Sequence, residues 1–152
     1  MTKTIQAQDL TKQAPHSPRE RIGGFAIAAR AVDKCRATIA GTVGEYHFDC
    51  PLDNMLFSFK GINGAQFKSA VKSAKSYDDM VVWLQANGTI KTSVEIKAWS
   101  DKVEADSMNK NQEKKEFFAA DCKRLGINPE TSSTFDWLEA DDRASFPTAA
   151  KH

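Results

Sequence analysis

The sequence predicts an all-α protein, a compact orthogonal bundle of about six or seven short helices with at most one short β-hairpin. Three observations carry that expectation. A small polar residue is followed three positions later by an acid or amide at Ser17/Glu20, Asn63/Gln66, Ser76/Asp79, Thr92/Glu95 and Ser133/Asp136. In such a pair the first side chain accepts from a free N–H of an opening helical turn, and the second reaches back to the cap residue's own N–H. Between these starts apolar residues recur at three- and four-residue steps, and Gly41, Gly61, Gly88 and Gly126 stand where segments close.

Taken in order, residues 1–16 are polar, contain Pro15 and precede Pro18, so they read as an extended arm anchored by Leu10. Ser17 caps a first helix with Pro18 at its first position, where a missing N–H costs nothing. Ile22, Phe25, Ala29, Val32, Cys35 and Ile39 give that helix one buried stripe ending before Gly41. Gly23 and Gly24 weaken it by about 1 kcal/mol each relative to alanine and mark a place where another backbone packs closely. Residues 41–49, with Gly44 and the alternation Val43, Tyr46, Phe48, form a loop or short hairpin.

Pro51 opens a brief helix through Phe59, ended by Gly61. Asn63 to Ala74 buries Phe67, Ala70 and Val71, and Ser76 to Asn87 buries Met80, Val81 and Leu84. Thr92 starts another helix with Ile96, Trp99 and Val103 on one face, but that face continues as Asp106, Lys110 and Glu113. A break between Ser107 and Asn111 is therefore expected, rather than one helix from Thr92 to Leu125. Phe118, Cys122 and Leu125 make the next stripe, and Thr134 to Asp142 carries Phe135 and Leu138 with Trp137 alongside. Residues 17–143 read as one helical domain and 144–152 as a flexible tail.

A chain of 152 residues with net charge +1 fits one domain and is not built to hold nucleic acid through its phosphates. Charge is uneven. Lys3, Lys12, Arg19, Arg21, Arg30, Lys34 and Arg36 crowd the start, whereas Glu130, Asp136, Glu139, Asp141 and Asp142 crowd the end, so the two ends attract each other or are simply solvated. No apolar run approaches the ~20 residues of a membrane span. Cys35, Cys50 and Cys122 are odd in number and widely spaced, and the polar start has no signal-peptide core, which points to reduced thiols in the cytoplasm.

The ordered blocks Asp9-Leu10-Thr11, Ser17-Pro18-Arg19-Glu20-Arg21 with Gly23-Gly24, Tyr46-His47-Phe48 leading into Cys50-Pro51-Leu52-Asp53, and Phe59-Lys60-Gly61-Ile62 resemble a family of small bacterial proteins that carries only a domain-of-unknown-function label. Trp83-Leu84 and Trp99 extend the similarity over most of the chain. The resemblance implies a bacterial cytosolic protein and supplies no activity, cofactor or catalytic residue.

Candidate chemistry is therefore read from the residues. Cys50 sits at the opening of the Pro51 helix, where free N–H groups and the helix dipole favour a thiolate, and His47 is three residues away. Asp49 and Asp53 oppose this by raising a thiol's pKa, and a buried inert cysteine is the ordinary alternative. His47, Cys50 and Asp53 offer N, S and O donors but lack the paired spacing of a zinc site, so no metal or cofactor is expected. Asp78/Asp79 and Asp141/Asp142 read as solvated helix ends. Arg19 and Arg21 beside the Ser17 helix start are candidate anion ligands, and Trp83 and Trp137 lie partly off their stripes as candidate contact residues.

Taken together, these residues lead to a non-catalytic cytosolic binding module. It would contact a protein partner or small anionic ligand through the basic first helix and the aromatic surface, and homo-oligomerisation is compatible with it. The alternative is a thiol-dependent enzyme or redox sensor using Cys50 with His47.

Overall fold

The computed structural model describes residues 8–146. Seven α-helices follow one another: α1 (Ala28–Ala40), α2 (Pro51–Lys60), α3 (Gly64–Ser73), α4 (Tyr77–Ala86), α5 (Ser93–Ala105), α6 (Lys115–Leu125) and α7 (Thr134–Ser145), with a 3₁₀ turn at Met108–Lys110. Asn63, Thr92 and Ser133 each form a complete capping box with Gln66, Glu95 and Asp136. Ser76 accepts from the Asp79 N–H, but the Asp79 carboxylate takes the Lys75 N–H instead of closing the box. Gly41, Gly61 and Gly126 close α1, α2 and α6 in the left-handed conformation.

The first helix starts ten residues later than its sequence suggested. Ser17 Oγ accepts from the Arg19 N–H at 3.1 Å and the Glu20 N–H donates to the Ser17 carbonyl, which makes a turn and not a helix cap. Ile22 and Phe25 then bridge antiparallel across Gly23 (φ +58°) and Gly24 (φ +84°). Both glycines have the positive φ of a tight two-residue hairpin turn, which no helix interior accepts. A Cβ on Gly23 would fall inside contact distance of the Val81 side chain, and one on Gly24 would lie 3.3 Å from Ile96, so the close approach is to α4 and α5 side chains. Residues 41–49 contain turns and no hairpin.

The expected break is present. Between α5 and α6 the chain is stitched to the start of α7: Ser107 Oγ donates to the Ser132 carbonyl, Met108 N–H to Thr134 Oγ1, and Thr134 N–H to the Asp106 carbonyl. At the other end, α7 runs to Ser145 and Phe146 stacks on Tyr46, so residues 144–146 are part of the fold and not of a tail. Leu10 is buried, and its N–H donates to the Thr42 carbonyl, which anchors the arm. The predicted arm residues 1–7 and tail residues 147–152 lie outside the described residues.

Around α1 the core assembles, from Phe25–Ala29, Val32 and Cys35 against Leu56, Phe57, Phe67, Met80 and Leu84. Of the basic residues expected on the first helix, Arg30 and Lys34 are buried on α1 together with Asp33, whereas Arg19 and Arg21 precede the helix and remain partly exposed. Attraction between the two ends is real, with Arg19 reaching Asp136 and Glu139 and Arg30 reaching Asp142. Among the described residues no helix is long and apolar enough to cross a membrane.

Candidate functional site

Charges inside a core persist only when paired and hydrogen-bonded. On α1 each of the three finds a different partner. Arg30 makes a two-pronged contact with Asp142 at 2.8 and 3.2 Å, and the Tyr46 hydroxyl donates to the same carboxylate at 2.8 Å. Asp33 accepts from the His16 N–H at 2.8 Å and from the Tyr77 hydroxyl, and His16 Nδ1 lies 2.6 Å from it. Burial, followed by the neighbouring carboxylates, pushes both tyrosines well above their ordinary pKa, so they remain O–H donors. Lys34 Nζ lies 2.9 Å from Asp53 Oδ1 and donates to Cys50 Sγ at 3.2 Å, while the other Asp53 oxygen accepts from the Asp49 N–H.

This third arm reaches a cleft. Pro51 fixes the first turn of α2 and leaves Cys50 as its N-cap, half-buried, with no side-chain cap bond. Cys50, Leu52 and Met55 form one wall of a cavity of about 620 Å³, and Phe135, Trp137 and Leu138 of α7 form the other. Its polar lining comes mainly from the 3₁₀ segment and the approach to α6, and includes Asp106, Lys110, Asn111 and Lys114. Trp137 is held rigidly: Nε1 donates to Asp121 at 2.7 Å, and the ring meets Phe117 and Phe118 edge-on. Asp121 is held below the usual carboxylate range by Arg124 first and then by the indole, so it stays an acceptor. A cavity of that size, mostly apolar with a few polar groups, suits a small organic molecule.

The family model described as "Domain of unknown function (DUF5069)" matches residues 12–144. The chain belongs to this family. No curated protein matches it. The DUF5069 match spans Arg30, Lys34, Cys50, Asp53, Trp137 and Asp142, and so contains both the buried ion network and the cleft.

Within this DUF5069 chain, Cys50 and Trp137 meet in one cavity although they are far apart in sequence. The other candidates go elsewhere. His47 is exposed and makes no hydrogen bond to Cys50; the sulfur's polar neighbour is Lys34. Arg19 is ringed by Glu104, Asp136 and Glu139, and Arg21 pairs with Asp101 and Glu104. Trp83 packs edge-on against Phe67 and lines a separate groove of about 560 Å³ between α3 and α4. Asp79 serves at a helix start, Asp141 pairs with Arg124, and Asp142 is consumed by Arg30. Burial pushes the Cys35 thiol up to about 12 and raises that of Cys122, which makes both poor nucleophiles. Sequence reasoning missed Lys34, because nothing local signals a contact spanning sixteen residues.

Proposed function

We propose that the protein is a cytoplasmic binding module for a small amphipathic anion, an apolar body carrying one acidic group, held in the cleft between α2, α7 and the 3₁₀ segment. The observation that carries this reading is the meeting of Trp137, Leu138, Met55 and Leu52 across about 620 Å³, with Lys110 and Lys114 on the lining against one carboxylate, Asp106. The apolar wall supplies affinity, and the lysines select charge at the exposed end.

Anilinonaphthalene sulfonate, itself an aromatic anion, is a direct probe. It should bind saturably with enhanced fluorescence, be displaced by medium-chain carboxylates, and weaken about tenfold or more in Met55→Glu, an exposed cleft position. Saturable binding left unchanged by Met55→Glu and by Trp137→Ala would refute the assignment.

A second reading is favoured by one distance, the 3.2 Å from Lys34 Nζ to Cys50 Sγ at a helix opening. It is thiol-dependent chemistry with Lys34, not His47, as the electrostatic partner. Asp53 competes for that ammonium, which is why this reading ranks second. Alkylation of Cys50 by iodoacetamide across pH decides it: a rate at neutral pH no greater than that of a model thiol removes its support.

A further inference from the structure

We propose that a second pocket, between the Gly23-Gly24 turn, α4 and the start of α5, binds the phosphoryl group of a small molecule. It is separate from the apolar cleft and does not rest on the reading given for that cleft. The cavity is about 580 Å³, and its lining includes Arg21, Lys91, Lys97, Ser93 and the two glycines, but no carboxylate. Arg21 comes from the segment before the turn, and Lys91 and Lys97 from the two sides of the α5 N-cap; Asp101 already bridges Arg21 and Lys97, which leaves positive charge in excess around the cavity for an incoming anion to offset.

The donors are only partly used. Asp101 and Glu104 both accept from Arg21 Nη2, at 2.8 and 3.1 Å, which leaves Nε and Nη1 without a hydrogen bond among the described residues. Lys97 gives one bond, to Asp101 at 2.7 Å. Lys91 forms no salt bridge among the described residues, although Glu95 is near enough to feel its charge; its ammonium stands 4.6 Å over the Phe59 ring. The amides of Gly23 and Gly24 likewise donate to nothing among the described residues. Such a surplus of donors matches the three oxygens and double charge of a phosphomonoester better than a single carboxylate.

The turn that forms one side of the pocket is fixed in place. Ser100 Oγ, fully buried, donates to the Gly24 carbonyl at 2.7 Å and accepts the Ala26 N–H at 3.0 Å, pinning the turn to α5. Lys60, buried outside the pocket with its ammonium donating to the Thr89 carbonyl at 2.7 Å, has its pKa lowered by burial first and then by the charge of Lys91.

The test is titration of the full chain with inorganic phosphate, followed by amide NMR, with sodium chloride at matched ionic strength as reference. Saturable shifts at Gly23, Gly24 and Ser93 are expected, weakened about tenfold or more in the Lys91→Gln/Lys97→Gln double variant and unaltered in Lys102→Gln, an exposed position outside the pocket. The proposal is overturned if chloride reproduces the shifts, if the double variant keeps them while circular dichroism shows it folded, or if no saturable shift occurs. Failure of anilinonaphthalene sulfonate to bind the cleft leaves each of these outcomes readable.

Discussion

At the scale of single residues, the fold depends on polar atoms placed where water cannot reach. Ser100 is the simplest case, since one hydroxyl satisfies both a buried N–H and a carbonyl of the segment leading into α1. Ser100→Ala leaves the Ala26 N–H unsatisfied in the core, and urea denaturation should show a loss of about 1–3 kcal/mol. Valine at the same position fills more space and still supplies no acceptor, so it should be no better. A loss below about 0.5 kcal/mol would mean that water or a shifted backbone replaces the hydroxyl.

Among elements, the decisive one is the turn that replaces the beginning of the predicted first helix. Gly23 needs its positive φ and also faces Val81 where a Cβ would sit, so two penalties coincide. Gly23→Ala should cost about 2–5 kcal/mol, the sum of left-handed strain and overpacking. The two separate experimentally, because Val81→Ala removes the two methyls closest to the added Cβ and leaves only the residue-81 Cβ at 3.3 Å, so in that background the added cost of Gly23→Ala should fall to about 1–2 kcal/mol. A cost independent of residue 81 would place the whole penalty in the backbone.

That turn also shows how far the sequence could be read. Asn63, Ser76, Thr92 and Ser133 announced real helices because their signals are local, complete within four residues and followed by no competing conformation. Ser17 offered the same letters, but Gly23-Gly24 between Ile22 and Phe25 is the stronger instruction, a two-residue hairpin turn. The helical spacing from Ile22 to Ile39 concealed it. Periodicity was a poor guide here, since α1 is buried on nearly every side and needs no polar face, whereas Ile39, counted in the stripe, is exposed. Cys50 at a helix opening was legible from Pro51. Its approach to Lys34 and the gathering of Lys91 and Lys97 around Arg21 were not, because they depend on how distant segments pack.

For the molecule as a whole, burial sets the response to alkali. Cys35 is raised from its ordinary 9.0 to about 12, and Cys122, Tyr46 and Tyr77 are raised as well, so each stays protonated in the fold at pH values where the unfolded chain releases its proton. The native state then holds more protons than the unfolded one, and stability falls as pH rises above about 9. Lys60 works in the opposite sense. Its lowered pKa means that the unfolded chain keeps a proton the native state has lost, which favours folding as pH climbs toward its ordinary 10.5. With four groups against one, the urea midpoint should drop between about pH 8 and about pH 10, and Lys60→Met should steepen that drop while raising stability at neutral pH. A midpoint that holds or rises over that interval would contradict the burial of Cys35.

The pairing of Arg30 with Asp142 has a consequence during synthesis. These partners are separated by 112 residues, and at about 5–20 residues per second a ribosome needs on the order of 6–20 s to make the second after the first. Throughout that wait the nascent chain carries a central segment whose guanidinium has no counterion to enter the core with. Until residue 142 has left the exit tunnel, the only hydrogen-bond partner on offer for that guanidinium among the described residues is the His16 carbonyl, so the ion pair that neutralises it closes only after synthesis is nearly finished.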